Sequence, residues 1–349
     1  MIGHCSLDGA DLQARKKIPE YARNNLRHQS PTGPPRKKKY ATCYKKKNSK
    51  IMARKVMITG ATGLLGRSVY AEFKKKNWEV LGLAFSRATG DLVKLDLNDS
   101  NAVRETIQRF KPHAIVHCAA ERSPDKVEKD YEASRKLNVE CSKNLAQFAL
   151  EAGAVLIYIS TDYVFDGTTP PYTENDVPNP LNQYGISKYE GEEAILDVYK
   201  ESIILRIPVL YGDEEYLGES AVSSLIKNLL SDKPVKVSNY EIRFPSHTED
   251  IAAICFGLAE KRMKDPSIKH VYHWAGQEAL TKYDMVKIIG EQLKLSSEHV
   301  LPDDTPSTGA PRPKNTQLSC DKLKRINIGQ HTKFSEGVAK SFAKFVQSC

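Results

Sequence analysis

The stretch Lys55-Val56-Met57-Ile58-Thr59-Gly60 constrains the fold of this chain more than any other. A short apolar run ending on glycine reads as a buried strand that stops in a tight turn. The turn continues as Gly60-x-x-Gly63-x-x-Gly66, and Leu64–Lys76 then shows helical spacing. The same alternation recurs downstream. Strands are expected at Glu79–Phe85, Ala114–Cys118, Val155–Ser160 and Ser202–Ile207, and helices at Asn101–Phe110, Ser134–Ala152 and Tyr184–Tyr199. Strands alternating with helices imply a parallel sheet covered on both faces, because each crossover lays a helix on the sheet. The expected fold class is therefore α/β, a Rossmann-type doubly wound parallel sheet with a smaller C-terminal lobe.

After Tyr211 the alternation loosens. Ala221–Leu230, Thr248–Lys261 and the run TKYDMVKIIGEQL read as helices, Val271–Ala275 as a strand and PDDTPSTGAPRPKN as a proline-rich loop. The expected organisation is a disordered basic tail at 1–51, a dinucleotide-binding domain at 52–211, a lobe at 212–335 with some segments returning to the main sheet, and a C-terminal tail at 336–349.

Charge separates the first segment from the rest. The 349-residue chain carries a net charge of +9, yet residues 1–50 alone hold 13 Lys and Arg against three acids. The remainder is close to neutral, which argues against a folded nucleic-acid-binding domain. RNA contact or nuclear targeting would have to use the 1–50 tail, whose only aromatics near the lysine clusters are Tyr40 and Tyr44. No apolar run is long enough to cross a membrane. Seven cysteines, an odd number with no CxxC pair, point to a reducing compartment, hence the cytoplasm, and to no disulfide framework or metal site.

The glycine motif sits where a strand meets a helix, the context a pyrophosphate site requires. Glycines let the backbone turn sharply and approach the phosphates, and the free N–H groups of the helix N-terminus face them. The end of the second strand selects the cofactor. It reads Phe85-Ser86-Arg87, with no acid until Asp91. An acid there would bind the ribose 2′-hydroxyl of NAD, whereas a guanidinium grips the 2′-phosphate of NADP. The expected cofactor is NADP(H), with Arg87 on the phosphate and Ser86 donating beside it. Asp96-Leu97 suits the adenine, and Cys118 with Ala119 and Ala120 should run alongside the dinucleotide. Arg122 should reach phosphate or ribose.

Tyr184 and Lys188, in YGISK, are spaced to share one helix face. A lysine ammonium near the phenol would lower its pKa. Tyr184 would then donate a proton to a carbonyl as hydride arrives, with Thr161 of STDYVFDG holding the same oxygen and Asp162 orienting a substrate hydroxyl.

These residues resemble the extended short-chain dehydrogenase/reductase family over about residues 55–330. STDYVFDG, YGISK, RIPVLYG and RPKNTQLSCDKL are similar to the branch that contains dTDP-4-dehydrorhamnose reductase. Within it, TGATGLLGR, HCAAERSPDKVE, IYISTDYVFDGTTPPY, RFPSHTEDIA, KRMKDPSIKHVYHWAG and TKYDM resemble the regulatory β subunits of methionine adenosyltransferase. The resemblance implies a non-catalytic partner that binds the catalytic α subunit, modulates S-adenosylmethionine synthesis and holds NADP. It also implies cofactor contacts at Thr62, Gly63, Leu64, Leu65, Phe85, Ser86, Arg87, Asp96, Leu97, Cys118, Arg122, Tyr184 and Leu210. Two features depart from that family. Ser86 stands where it carries a second arginine, and SFAKFVQSC stands where an extended aromatic and basic tail inserts between α subunits. The intact Thr161, Tyr184 and Lys188 keep an alternative in view, an NADPH-dependent reductase of a 4-keto sugar nucleotide.

Overall fold

The described chain, residues 53–346 of a computed structural model, opens with β1 (Lys55–Thr59), α1 (Leu64–Lys75), β2 (Glu79–Ala84) and β3 (Val93–Lys94). The expected tail at 1–51 lies outside the described residues. Next come α2 (Ser100–Phe110), β4 (Ala114–His117), α3 (Pro124–Lys129), α4 (Tyr131–Arg135), α5 (Cys141–Ala152), β5 (Val155–Thr161), α6 (Gln183–Val198) and β6 (Ile203–Ile207). The second half adds β7 (Leu210–Tyr211), α7 (Ile226–Leu229), β8 (Val235–Ser238), β9 (Ser246–His247), α8 (Thr248–Arg262) and β10 (His270–His273). It closes with α9 (Lys282–Leu293), β11 (Val300–Asp303), α10 (Asp321–Arg325) and α11 (Phe334–Phe342).

Seven strands form one sheet in the order β10-β6-β5-β4-β1-β2-β3, and every pairing in it is parallel. This is the doubly wound arrangement expected. Successive side chains of a strand point to opposite faces, and both faces here are buried. Val56, Ile58, Val116, Ile157 and Leu205 face a core shared with α1 and α8. Met57, Ile115, Leu156, Tyr158 and Ile204 face a core shared with α2, α5 and α6. Burial on both sides explains why these strands read as continuous apolar runs.

The sequence order of the two halves is not their order in space. α8 and β10 come from beyond Tyr211, yet α8 packs against α1 and β10 is hydrogen-bonded to β6. A third core forms the smaller lobe, from Tyr211, Ile226, Val237, Met285, Ile289 and Val300, together with Phe334, Val338 and Phe342 of α11. The segment expected as a C-terminal tail from 336 is therefore, up to residue 346, mostly a packed helix. His247 Nε2 and Ser341 Oγ lie 3.0 Å apart, and Asp250 accepts from the Thr332 amide at 2.7 Å.

Two expected helices are broken. Ser134–Ala152 is interrupted by a π-helical turn at Lys136–Glu140. There the Asn138 carbonyl accepts from Ser142 Oγ at 2.8 Å and Tyr158 Oη at 3.3 Å, while its side chain reaches the Glu121 carbonyl and Ser187. Ala221–Leu230 becomes a 3-10 turn at Ser223–Leu225 followed by the single-turn α7. Ser220 accounts for this, since its hydroxyl accepts from the Val222 and Ser223 amides at 3.1 and 2.9 Å. Such side-chain bonds offer the backbone an alternative to the helix ladder.

Candidate functional site

The connections from β1 and β4 leave the sheet in opposite directions, so a crevice opens between the carboxyl ends of these neighbouring strands. Open α/β sheets bind ligands at such switch points. A cavity of about 650 Å³ lies there, lined by the segments that follow β1, β2, β3, β4, β5 and β6. All the residues singled out from the sequence line this one cavity.

At its centre are Gly60, Thr62, Gly63, Leu64, Leu65 and Gly66. Gly60 has φ +66°, and a Cβ on it would stand 2.8 Å from the Ala119 amide nitrogen. A Cβ on Gly66 would stand 2.1 Å from the Gly60 carbonyl oxygen. These contacts require glycine and bring the N-terminus of α1 onto the cavity. That terminus has no side-chain cap and no acid in its first turn, so its leading N–H groups are left for an anion. The cradle fits a dinucleotide pyrophosphate.

At one end, Phe85, Ser86 and Arg87 continue β2, and the Phe85 ring is 61% exposed. Asp96 and Leu97 follow β3, where Asp96 Oδ1 accepts from the Asn98 amide at 2.9 Å. Arg87 Nη1 donates to Glu215 Oε2 at 3.1 Å.

At the other end, α6 carries Tyr184 and Lys188 toward Thr161 at the tip of β5. Asn182 caps α6 by accepting from the Gly185 amide at 2.8 Å, and its own amide donates to the Pro311 carbonyl at 2.7 Å. Lys188 does not act on the tyrosine as expected. It is buried, and Nζ donates to Tyr158 Oη at 2.6 Å and to the Ile159 carbonyl at 2.8 Å. Burial lowers the Lys188 pKa to about 7, while the Glu192 carboxylate pulls the other way. Burial raises the Tyr184 phenol well above its usual range, partly offset by Thr161. The expected lowering of the phenol pKa by Lys188 is thus overturned, because desolvation dominates and the ammonium bonds to Tyr158 and Ile159 instead. Burial likewise raises the Cys118 thiol to about 12.

Asp162 also differs from its expected role. Its carboxylate accepts from the Thr161 and Thr316 hydroxyls, and it is buried. It ties the end of β5 to Thr316, just after the proline-rich loop, and is not left free for a substrate hydroxyl. Burial raises its pKa to about 6, with Thr316 opposing. Arg122 lines the cavity, and its Nη2 donates to the Glu219 carbonyl at 2.5 Å.

Some site residues escaped the sequence reading. Ile207, Pro208, Val209, Ser220 and Ala221 also line the cavity. Tyr158 and Asn138 stand behind Lys188. One signal for Tyr158 was legible, since a tyrosine in an aliphatic buried strand needs a partner for its hydroxyl. A second cavity of about 390 Å³ adjoins the first and shares Arg122 and Tyr163 with it. It gathers Arg243, Lys282 and Arg312 from distant segments. Arg243 donates to the Ile242 and Pro313 carbonyls and to Tyr163 Oη, while Arg312 pairs with Asp125 at 2.8 Å. Glu121, Asp125 and Glu219 also line this chamber, and no sequence spacing announces it.

Known proteins share both the fold and much of the sequence of this chain. The family model of the RmlD substrate binding domain matches residues 54–347. Mouse methionine adenosyltransferase 2 subunit beta is 51% identical over 298 residues, which cover 85% of this chain and 89% of that protein. The chain belongs to the methionine adenosyltransferase 2 β-subunit family. Within the wider RmlD group, dTDP-4-dehydrorhamnose reductase of Aggregatibacter actinomycetemcomitans is 35% identical over 69% of this chain and 79% of its own length. The crystal structure of the Bacillus anthracis dTDP-4-dehydrorhamnose reductase in complex with NADP superposes with a TM-score of 0.73 at 28% identity, covering 84% of this chain and 99% of that one. This β-subunit family member therefore has a nicotinamide-dinucleotide type of fold. Among its described residues no group of His, Cys, Asp and Glu is arranged to hold a metal, and no helix is long and apolar enough to cross a membrane.

Proposed function

We propose that this protein is a non-catalytic regulatory subunit of methionine adenosyltransferase, which binds NADP(H) in the cleft and the catalytic α subunit elsewhere, and so modulates S-adenosylmethionine synthesis. The observation that carries the reading is the 51% identity to a methionine adenosyltransferase β subunit over most of both chains. The reading puts the protein in the reducing cytoplasm, with the basic 1–50 stretch as a nuclear-targeting candidate.

When bound, NADP(H) supplies a nicotinamide able to carry hydride. The N–H groups at the start of α1 would bind its pyrophosphate, and Arg87 with Ser86 its 2′-phosphate. Lys188, fixed by Tyr158 and Ile159, would hold the nicotinamide ribose, while Thr161 and Tyr184 form the wall beside it. In this role NADP(H) stabilises the fold by binding the native state alone. Co-purification of the full chain with the α subunit at micromolar concentration, and the change in α-subunit rate, test the reading. Absence of a complex defeats it.

A second reading, a reductase of a 4-keto sugar nucleotide, is favoured by one further observation. In the chamber that adjoins the cleft, five cations (Arg122, Lys126, Arg243, Lys282 and Arg312) outnumber three acids (Glu121, Asp125 and Glu219), an excess that suits a diphosphate group. NADPH oxidation with a dTDP-4-keto-6-deoxysugar, abolished in Tyr184→Phe, would establish it. No turnover at high enzyme concentration would remove it.

A further inference from the structure

The segment Phe85-Ser86-Arg87 offers one guanidinium to a ribose 2′-phosphate, and that guanidinium already has a partner. Glu215 comes from the loop after β7, and its Oε2 accepts from Arg87 Nη1 at 3.1 Å. The loop is rooted independently of this pair. Buried Glu219 accepts from both terminal nitrogens of Arg67, at 2.9 and 2.7 Å. The Glu214 carboxylate accepts from the Ser220 amide at 3.0 Å and from the Ser220 and Ser223 hydroxyls. Glu215 and Arg87 themselves are half exposed, at 50% and 48%. The same Glu215 oxygen lies 3.4 Å from Arg67 Nη1. One carboxylate thus faces two guanidinium groups, one lining the cleft and one beside it.

We propose that Glu215 is a built-in competitor for Arg87, displaced by the 2′-phosphate of NADP(H) and left in place by NAD(H). The inference rests on the dinucleotide reading of the cleft given above. A phosphate monoester carries more charge and more acceptor oxygens than a carboxylate, and both match the planar guanidinium fork. The neutral 2′-hydroxyl of NAD(H) cannot outbid a carboxylate for that fork. Displacement does not strand Glu215, because Arg67 is already within reach and the loop is held by Glu219. The exchange needs side-chain movement only. Glu215 therefore weakens NADP(H) without affecting NAD(H), and sets how sharply the site discriminates between them.

Calorimetric titration of the full chain with NADPH and with NADH tests this in wild type, Glu215→Gln, Arg87→Ala and the double variant. Glu215→Gln should tighten NADPH by about two- to five-fold, the scale of an exposed ion pair, and leave NADH unchanged. The gain should vanish in the Arg87→Ala background. Unchanged or weaker NADPH binding by Glu215→Gln, in a protein whose NADPH affinity still falls in Arg87→Ala, overturns the inference and leaves the cleft reading intact. A parallel change in NADPH and NADH also overturns it, since that marks a loop effect. Failure of wild type to bind either dinucleotide defeats the cleft reading itself.

Discussion

At the scale of residues, burial decides what the polar groups of the cleft can do. Lys188 and Tyr184 share a helix face, yet two of the ammonium's three donors go to Tyr158 Oη and the Ile159 carbonyl. Tyr158→Phe leaves Lys188 Nζ and the Asn138 carbonyl each one partner short inside the protein. Losing buried hydrogen bonds, one of them to a charged group, costs about 1–3 kcal/mol, so urea unfolding should show a loss of that size; an unchanged midpoint would dismiss Tyr158 as a support. Two buried histidines give a pH dependence. Desolvation, aided by Lys188 at His117 and by Arg206 at His273, lowers both from 6.5 to about 3. Between those values the unfolded chain holds more protons, so stability rises with pH across the window and is lost on acidification. Asp162 acts oppositely between 3.8 and about 6, because there the folded state holds the proton. Two imidazoles against one carboxyl leave a net acid lability. Thermal unfolding followed by circular dichroism should show a lower midpoint at pH 5 than at pH 7, and His273→Gln should flatten that difference. An equal drop in the variant would take His273 out of the account.

At the scale of elements, the long periodic segments behave as their patterns require and the short ones follow their neighbours. The π-helical turn inside the expected helix Ser134–Ala152 exists because Asn138 bonds to Glu121, Ser187 and Tyr158, partners far away in sequence. Helix periodicity contains no trace of them. α11 is different. Phe334, Val338 and Phe342 are spaced four residues apart and share one helix face, a signal legible in the sequence of the segment expected as a tail from 336. The helix packs Phe334 and Phe342 on Tyr211, with ring centroids 5.0 and 6.2 Å apart. Phe342→Ala should cost about 3–5 kcal/mol, as large-to-small changes of buried aromatics do, read as a lower urea midpoint. A loss below about 1 kcal/mol would mean that α11 frays away from the lobe.

At the scale of the whole molecule, the two halves of the chain share one sheet and both contribute to the cleft. NADPH at a hundred times its dissociation constant should add about 2.7 kcal/mol and raise the thermal midpoint by roughly 4–5 °C. NADH at the same concentration should raise it less, and no rise with either would argue against dinucleotide binding. From the sequence alone follow the parallel doubly wound sheet and the cradle at its switch point, because apolar period and glycine spacing are local properties that the backbone must obey. The residues on the cleft follow too, since a strand end next to a glycine turn has few places to go in such a sheet. Only the tertiary structure decided that Lys188 donates to Tyr158 and Ile159, that Asp162 is consumed by Thr316, and that Glu215 meets Arg87 across 128 residues. Each depends on desolvation or on a partner from a distant segment, and neither quantity exists until the chain has folded.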